Sequence, residues 1–296
     1  MGDYEQLNIQ WYPGHMTKAR RMIEENIRQV DAVCELLDAR IPRASRNPDI
    51  DAIAAGKPRL VILNRADLAD PAVTARWKRF FEAQGLAVLE TDARGGRGVK
   101  DFAPALESLL RGKRLEYEAK GQVGRSLRAM ILGIHNVGKS TLINKVAGRK
   151  AAAAGDKPGI TRGKQWIRVN AGLELLDTPG ILWPKFEDPE IGELLAVTNA
   201  VKAEILDRET LGANFMLRLR KMYPGAIEER YRFTPDPEAN GFELLEQAAR
   251  KRGFLVSGGE ADIERMAITL LNEYHEGKLG RLSLEEPDDG SVADRA

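Results

Sequence analysis

The fold is decided by the stretch GIHNVGKS at residues 133–140. An apolar run, residues 127–132, precedes it, and a segment with helical spacing of apolar residues, 141–147, follows it. A strand, a glycine-containing loop that ends in Lys-Ser, and a helix are the parts of a phosphate loop. Gly133 and Gly138 let the backbone point several N–H groups at a phosphate, and the helix adds the positive end of its dipole. The stretch therefore predicts a nucleotide-binding α/β domain.

Two residues of this loop carry predicted chemistry. Lys139 should bridge the β- and γ-phosphates and so act in catalysis, and the Ser140 hydroxyl should ligate Mg²⁺. A glycine-rich turn with a chance Lys-Ser is the alternative, and the companion motifs argue against it. The other nucleotide contacts predicted in and beside this loop are Asn136, Val137, Gly138 and Thr141.

A second motif, DTPG at residues 177–180, follows another apolar run. Asp177 is expected to hold Mg²⁺ through water, and the backbone N–H of Gly180 is expected to approach the γ-phosphate. Thr161, in KPGIT at residues 157–161, lies between the phosphate loop and this motif. It is the candidate switch threonine, which would contact the nucleotide and Mg²⁺ and take part in catalysis.

Base recognition is predicted from NRAD at residues 64–67. The Asp67 carboxylate can accept two hydrogen bonds from guanine, whereas adenine would leave it without donors. Preference for guanine rests on Asp67 together with Asn64. Arg65 stands where Lys is usual, and its stem can still lie along the face of the base.

A looser base-binding signal follows the next predicted strand. Its residues are Asp92, Ala93 and Arg94. They resemble the SAK motif, in which the alanine N–H meets O6 of guanine. An ordinary turn at the end of a strand is the alternative.

The motif order indicates a permuted chain. In ordinary small GTPases the guanine motif comes last, whereas here it precedes the phosphate loop. Apolar runs alternate with helical segments, as in α/β domains with buried parallel strands. We therefore predict a circularly permuted P-loop GTPase domain with a doubly wound, mostly parallel sheet. The predicted strands are residues 30–37, 59–63, 86–91 and 127–132, with a hairpin at 165–176.

The pattern changes near residue 188. From there to about residue 276 the apolar residues follow helical spacing. We predict the GTPase domain over residues 1–187, with an N-terminal arm over 1–29, and a small all-α domain that binds RNA or the ribosome over 188–282. Residues 283–296 are acidic, lack apolar anchors and are predicted to be disordered.

Composition excludes several classes of protein. The 296 residues are 43% hydrophobic and carry a net charge of +1, so overall charge does not announce a nucleic-acid binder. The sequence has no apolar run of the roughly 20 residues that span a bilayer, and its polar start resembles neither a signal nor a transit peptide. Cys34 is the single cysteine, in an apolar run, and is predicted to be an inert buried thiol. We expect a cytoplasmic monomer.

Two residues predict how hydrolysis departs from that of ordinary GTPases. Ile181 follows Gly180 where many GTPases place a water-orienting Gln, so intrinsic hydrolysis should be slow. Asn136 matches the asparagine of potassium-stimulated GTPases, where K⁺ would neutralise charge that develops between the phosphates. A solvent-facing loop residue is the alternative for Asn136.

Further motifs resemble one family over nearly the whole chain. These are QWYPGHM at residues 10–16, DARIP at 38–42 and the permuted order itself. They resemble the ribosome-biogenesis GTPase A family, except that His135 stands where that family usually has Pro. The resemblance implies a bacterial GTPase that acts in late maturation of the large (50S) ribosomal subunit. It also implies that the ribosomal particle stimulates hydrolysis and that the C-terminal domain contacts rRNA.

The resemblance makes His15 a candidate catalytic residue. Its imidazole could orient or deprotonate the attacking water in place of the missing Gln. A packing role in the N-terminal arm is the alternative. His135 is interpreted as a tolerated substitution and not as a catalyst.

Other functions remain open at this point. Basic residues that could contact RNA phosphates cluster around His15, in one loop at Arg40, Arg43 and Arg46, and on the helical part. Nearby glutamates favour solvated helix faces as the alternative. The rival functions are a permuted GTPase that acts on another RNA, such as the small subunit or tRNA, and a nucleotide-sensing scaffold with little turnover.

Overall fold

The computed structural model describes residues 15–54, 56–148, 165–178, 180, 188–201 and 207–288. Internal contacts divide them into two units. The first unit contains the described residues from 15 to 180 together with 285–288, and the second contains those from 188 to 284. The division of the chain after residue 184 lies close to the predicted boundary.

The first unit is built on a six-stranded sheet. Its strands are β1 (Ala32–Asp38), β2 (Arg59–Asn64), β3 (Ala87–Glu90), β4 (Leu127–Gly133), β5 (Gln165–Asn170) and β6 (Leu173–Asp177). The order across the sheet is β3-β2-β1-β4-β6-β5. All neighbouring strands are parallel except β5 and β6, which form an antiparallel hairpin at the edge. The predicted mostly parallel sheet is confirmed.

Helices precede and connect the strands of the sheet. They are α1 (His15–Asn26), α2 (Ile50–Ile53), α3 (Pro71–Ala83), α4 (Phe102–Leu109), α5 (Arg111–Ala119) and α6 (Lys139–Val146), with short 3₁₀ helices at Ile27–Gln29 and Val99–Asp101. The sequence determines where α3 begins. The Asp70 side chain caps the helix by accepting hydrogen bonds from the N–H groups of Ala72 and Val73. Trp77 and Phe81, four residues apart, then pack into a core cluster with apolar residues of β1 and β2.

The central strand β1 is buried along its whole length. Cys34 is fully buried, and burial raises the pKa of its thiol well above the ordinary value. Glu35 is buried beside it, and its carboxylate accepts from Arg46 and Arg59 at 3.1 Å each. A carboxylate at this depth requires such partners, because an unpaired buried charge is very costly.

The strand ends place the functional motifs at one edge of the sheet. Asp38 at the end of β1 lies beside Asn64 at the end of β2. Gly133 ends β4 and Asp177 ends β6 on the same side, because all four strands run parallel. Ligands of open α/β sheets bind at this carboxyl edge.

The second unit is helical, as predicted. Its helices are α7 (Pro189–Val197), α8 (Arg208–Met222), α9 (Pro224–Tyr231), α10 (Gly241–Arg252) and α11 (Ile263–His275). α8 lies at its centre and packs closely: a Cβ added to Gly212 would lie 2.6 Å from Cβ of Ala267 on α11. α10 begins with a capping box between Asn240 and Glu243. In the described part of the chain, no helix is long and apolar enough to cross a bilayer.

The acidic C-terminal segment differs from its prediction. Ser283 and Leu284 are buried in the helical unit, and Pro287 is buried in the first unit. The segment is therefore packed as far as residue 288, where the description ends. The anchors that the sequence lacks are largely supplied by polar contacts of Glu285.

Candidate nucleotide-binding site

The phosphate loop connects β4 to α6 through two residues in left-handed conformations. Gly138 has φ +99° and Asn136 has φ +57°. Glycine is required at position 138 for two reasons. Any other residue would be strained at this φ, and its Cβ would overlap the side-chain amide nitrogen of Asn64. α6 begins at Lys139, so its free N–H groups face the loop as an anion site requires.

Lys139 is held inside the site. Its Nζ donates to the carbonyl oxygen of Thr178, and only 7% of the residue is exposed. Burial lowers the pKa of Lys139 to about 8, with Asp177 acting in the opposite direction. The ammonium group therefore lies at the junction of the phosphate loop and the DTPG motif, where added phosphate oxygens would stabilise its charge.

The DTPG motif starts from buried polar residues. Asp177 and Thr178 are fully buried, and the Thr178 hydroxyl donates to the carbonyl oxygen of Ile131 at 2.7 Å. This bond ties the motif to β4. Asp177 and Ser140, the second residue of α6, offer a carboxylate and a hydroxyl, which are the hard oxygen ligands that Mg²⁺ prefers. These residues fit the Mg²⁺ that a GTPase domain requires.

Asn64 joins three loops of the site. Its Nδ2 donates to the carbonyl oxygen of Val137 at 2.8 Å. Its Oδ1 accepts from the hydroxyl of Thr91 and from the backbone N–H of Ala93, each at 3.0 Å. The N–H that was assigned to guanine O6 thus bonds to Asn64 in this structure. Base contact by Ala93 remains a prediction.

Arg65 belongs to a network that the sequence did not reveal. Its backbone is left-handed, with φ +60°. Its guanidinium donates to the carbonyl oxygen of Asn136 and lies 3.5 Å from the Asp38 carboxylate. Burial alone would raise the pKa of Asp38, but the guanidinium groups of Arg40 and Arg65 hold that pKa below its ordinary value. Arg65 therefore stabilises the phosphate loop. Its partner Asp38 begins the DARIP stretch, which is the sequence signal that could have identified this pair.

The remaining base-site residues lie near the surface. Asp67 is exposed in a turn after β2, which leaves its carboxylate accessible to a base. The Asp92 side chain accepts from the N–H of Gly95 at 2.7 Å and fixes a turn. Arg94 is exposed. Their contacts with guanine remain predictions.

His135 lies against the DTPG motif. It is 6% exposed, and a Cβ added to Gly180 would lie 2.7 Å from Nδ1 of His135 and 3.1 Å from its backbone nitrogen. The sequence interpretation of a tolerated substitution did not anticipate this contact. His15 forms the first residue of α1, and Thr161 and Ile181 lie outside the described residues.

The predicted basic loop is only partly available to a partner. Arg40 is fully buried and donates to both carboxylate oxygens of Asp38, at 2.9 and 2.8 Å. Arg46 pairs with Glu35 and Asp51. Arg43 differs from both because half of its side chain is exposed.

Comparison with known proteins identifies relatives of this chain. The family described as "50S ribosome-binding GTPase" matches residues 128–217, from β4 into α8. Ribosome biogenesis GTPase A of Priestia megaterium is 45% identical over 96% of this chain and 98% of its own length. The protein of the same name from Thermotoga maritima is 36% identical over 95% of each chain.

Two solved structures have a similar fold and similar sequences. GDP-bound YlqF has a TM-score of 0.67 at 30% identity, covering 90% of this chain and 99% of its own. GNP-bound YlqF from Thermotoga maritima has a TM-score of 0.64 at 31% identity, covering 92% and 99%. These relatives match both units of the chain, whereas the family match begins after the guanine motif.

Proposed function

The chain belongs to the ribosome biogenesis GTPase A family, and from that premise we propose that it binds the immature 50S subunit and promotes its late maturation. It is a GTPase of ribosome biogenesis; the particle, the stage and the coupling to hydrolysis are what the proposal adds. GTP hydrolysis on the correct particle would release the protein, which acts as a monomer in the cytoplasm. The name of the family matched by residues 128–217 supports a 50S partner.

The contact between Lys139 and Thr178 is the observation that supports a nucleotide-dependent conformational change in the DTPG motif. The ammonium group donates a hydrogen bond to the DTPG backbone. β- and γ-phosphate oxygens would compete for the same group, which would free the Thr178 carbonyl and let the N–H of Gly180 turn to the γ-phosphate. From Gly180 the chain reaches α7 after eight residues, 181–188, so a change in the motif is passed to the chain that enters the helical unit.

The chemical step is assigned to residues already in or beside the loop. Lys139 would neutralise charge on the transferred phosphoryl group, and Ser140, Asp177 and Thr161 would hold Mg²⁺. When bound, Mg²⁺ would supply neutralisation of the developing negative charge. Asn136 would hold K⁺ for the same purpose. His15 orients the attacking water when the particle places the N-terminal arm, since Ile181 cannot do so.

Single-turnover GTP hydrolysis tests this proposal. Purified precursor 50S particles should accelerate the reaction, and K⁺ should accelerate it more than Na⁺ does. Small subunits or tRNA in place of the precursor provide the matched comparison. Equal rates with and without 50S particles would refute the proposal, and co-sedimentation of the GTP-analogue complex with small subunits would favour another RNA target. A complete lack of turnover with particle and K⁺ would favour a scaffold.

A second variant pair separates the two roles of His15. His15→Ala should remove the stimulation by particles and leave binding to them intact, if the imidazole acts on water. Trp11→Ala is the comparison, because it disturbs the same arm without removing an acid–base group. Loss of particle binding in both variants would support packing of the arm instead.

A further inference from the structure

A short acidic segment of the C-terminus is anchored on the first unit. Residues 285–288 are Glu-Glu-Pro-Asp, and we call them the acidic strap. The carboxylate of Glu285 accepts from the backbone N–H of Arg43 at 2.8 Å and from that of Ala44 at 3.0 Å. Trp77 Nε1 donates to the carbonyl oxygen of Glu285 at 3.2 Å. Both the side chain and the backbone of Glu285 thus fix the strap.

The strap also places two carboxylates on two arginines. Glu286 lies 2.7 Å from the guanidinium of Arg76, and Asp288 lies 2.5 Å from that of Arg43. Arg43 also lies over the Trp77 ring, 5.9 Å from its centroid. The pairs are open to water, since the side chains of Glu286 and Asp288 are 53% and 75% exposed. Exposed pairs of this kind are weak and screened by salt, so another anion can displace them.

The neighbouring arginines show that this arrangement differs from ordinary surface pairing. Arg40 and Arg46 pair with Asp38, Glu35 and Asp51, which are carboxylates of the same folded unit within about a dozen residues. Arg43, between them in sequence, pairs with Asp288 across a sequence separation of 245. The carboxylates on Arg43 and Arg76 therefore belong to a terminal segment that can leave without unfolding the sheet.

The covered donors have the chemistry of a phosphate site. Two consecutive backbone N–H groups, at Arg43 and Ala44, converge on one carboxylate, and two guanidinium groups flank them. Arginine forks bind phosphate oxygens as readily as carboxylate oxygens. Glu286 and Asp288 are two residues apart, at most about 7 Å along the chain, so they can imitate neighbouring charges on a polyanion.

We propose that Arg43 and Arg76 bind the phosphate backbone of RNA, and that the acidic strap covers them until RNA displaces it. The proposal rests on the proposed function, because a ribosomal partner supplies the RNA. RNA is favoured over an acidic protein, because the site combines two arginine forks with two consecutive backbone N–H donors, which suit phosphate oxygens. The strap then lowers affinity for RNA in general and reserves the site for a partner that offers additional contacts.

Intramolecular attachment explains how weak pairs can cover the site. Glu285 and the buried Pro287 hold the two carboxylates close to the arginines, so their effective concentration is high. RNA that binds elsewhere on the protein gains the same advantage and replaces them. Because exchange swaps one set of anions for another, high salt should weaken both states.

Binding of labelled RNA to the full chain tests the proposal. The strap variant Glu286→Gln/Asp288→Asn removes both pairs and keeps the Glu285 anchor. The control variant Glu116→Gln/Glu118→Gln makes the same change of net charge on two exposed carboxylates of α5. The probes are a polyuridine oligonucleotide, an RNA hairpin and a polyglutamate peptide. Fluorescence anisotropy is followed from low to physiological salt, with thermal unfolding measured in parallel.

The strap variant should bind both RNAs about 3- to 30-fold more tightly at low salt, with a salt slope steeper by about 1.5. The control should show a clearly smaller gain. Adding Arg43→Gln/Arg76→Gln to the strap variant should remove the gain. Three outcomes would overturn the proposal: a gain equal to the control's, a gain that survives loss of both arginines, or tighter binding of polyglutamate than of RNA.

A purely structural strap gives a different result. It would lower the unfolding temperature of the strap variant and leave RNA affinity unchanged, which also overturns the proposal. Stimulation of wild-type GTP hydrolysis by 50S particles is measured on the same protein. If stimulation is present and the strap variant shows no gain, the strap proposal fails and the proposed function stands. If stimulation is absent, the proposed function fails, whatever the strap variant shows.

Discussion

The side-chain amide of Asn64 donates to the carbonyl oxygen of Val137 at 2.8 Å and so bonds the guanine motif directly to the phosphate loop. The two residues are 73 positions apart in sequence. Permutation changes which strands are joined by the chain, but β1 keeps β2 and β4 as its neighbours. The site therefore depends on buried polar contacts between loops, because its motifs are not consecutive.

Asn64→Ala should weaken both nucleotide binding and the fold. The variant removes a buried side chain with three hydrogen bonds and leaves the Val137 carbonyl and the Ala93 N–H without that partner. We expect a loss of about 2–4 kcal/mol in the free energy of unfolding, with weaker GDP and GTP binding. Thr91→Val removes only one of the bonds and should cost about 1 kcal/mol. Urea unfolding and nucleotide titration measure both; equal losses in the two variants would contradict a central role for Asn64.

Gly180→Ala should slow GTP hydrolysis with little change in GDP affinity. The new Cβ would lie 2.7 Å from Nδ1 of His135, so the backbone that should contact the γ-phosphate has to move. Loss of one such donor slows a reaction about 100- to 1,000-fold. Gly112→Ala is the control, since a Cβ there meets nothing within 4 Å. His135→Pro removes Nδ1, the atom that the new Cβ would overlap. In the double variant it should therefore restore part of the rate lost in Gly180→Ala. An unchanged single-turnover rate in Gly180→Ala would argue against this assignment.

The sequence predicted the sheet and the phosphate loop well, because both depend on local patterns. Buried parallel strands are apolar runs, and a phosphate loop has fixed spacing. The partners of polar side chains were harder to predict. Base recognition by Asn64 stays a prediction; its bonds to two neighbouring loops could not be predicted, since those loops meet only after folding.

The prediction for the acidic terminus was wrong over residues 283–288 for a related reason, and residues 289–296 lie outside the described residues. Its prediction as a disordered tail rested on the lack of apolar anchors. Glu285 is anchored by backbone N–H groups and by an indole N–H of the first unit, and composition carries no record of these donors. His135 illustrates the same limit, because its contact with Gly180 depends on where two loops end.

Glu273→Gln should destabilise the helical unit at neutral pH. The Glu273 carboxylate, on α11, accepts from the Tyr231 hydroxyl at 2.7 Å, from Arg252 at 2.5 Å and from Arg230. Burial alone would raise the pKa of Glu273, but the hydrogen bonds from Arg230 and Tyr231 outweigh it and hold the pKa below 4.5. An uncharged amide leaves two guanidinium groups without their carboxylate, at a cost of about 2–3 kcal/mol.

The pH dependence of that loss follows from the direction of the pKa shift of Glu273. A lowered folded-state pKa means that the stabilisation is complete above the unfolded value of 4.5 and is lost as the pH falls through the folded value. Wild type and Glu273→Gln should therefore converge in stability in acid. Glu246→Gln, which breaks an exposed pair with Arg250, is the control and should change stability by less than about 0.5 kcal/mol. A difference that persists below the folded pKa would contradict the assignment.

Lys139→Met should stabilise the nucleotide-free protein while abolishing hydrolysis. Burial lowers the pKa of Lys139 from 10.5 to about 8, so the folded protein holds a charge at a cost at neutral pH. Below pH 8 the lysine is protonated in both states and the cost is constant. Between pH 8 and 10.5 the unfolded chain binds more protons, so the stability of the wild type should rise relative to Lys139→Met by about 3 kcal/mol.

Chemical unfolding at a series of pH values measures the difference between the two proteins, which cancels the titration of all other groups. Lys145→Met is the control, because it makes the same substitution at an exposed position of the same helix. Saturating GDP should reverse the order of stability of the two proteins, since its phosphates stabilise the charge of Lys139 and Met gains nothing from them. A pH profile of Lys139→Met parallel to that of the wild type would show that the buried ammonium is not the titrating group.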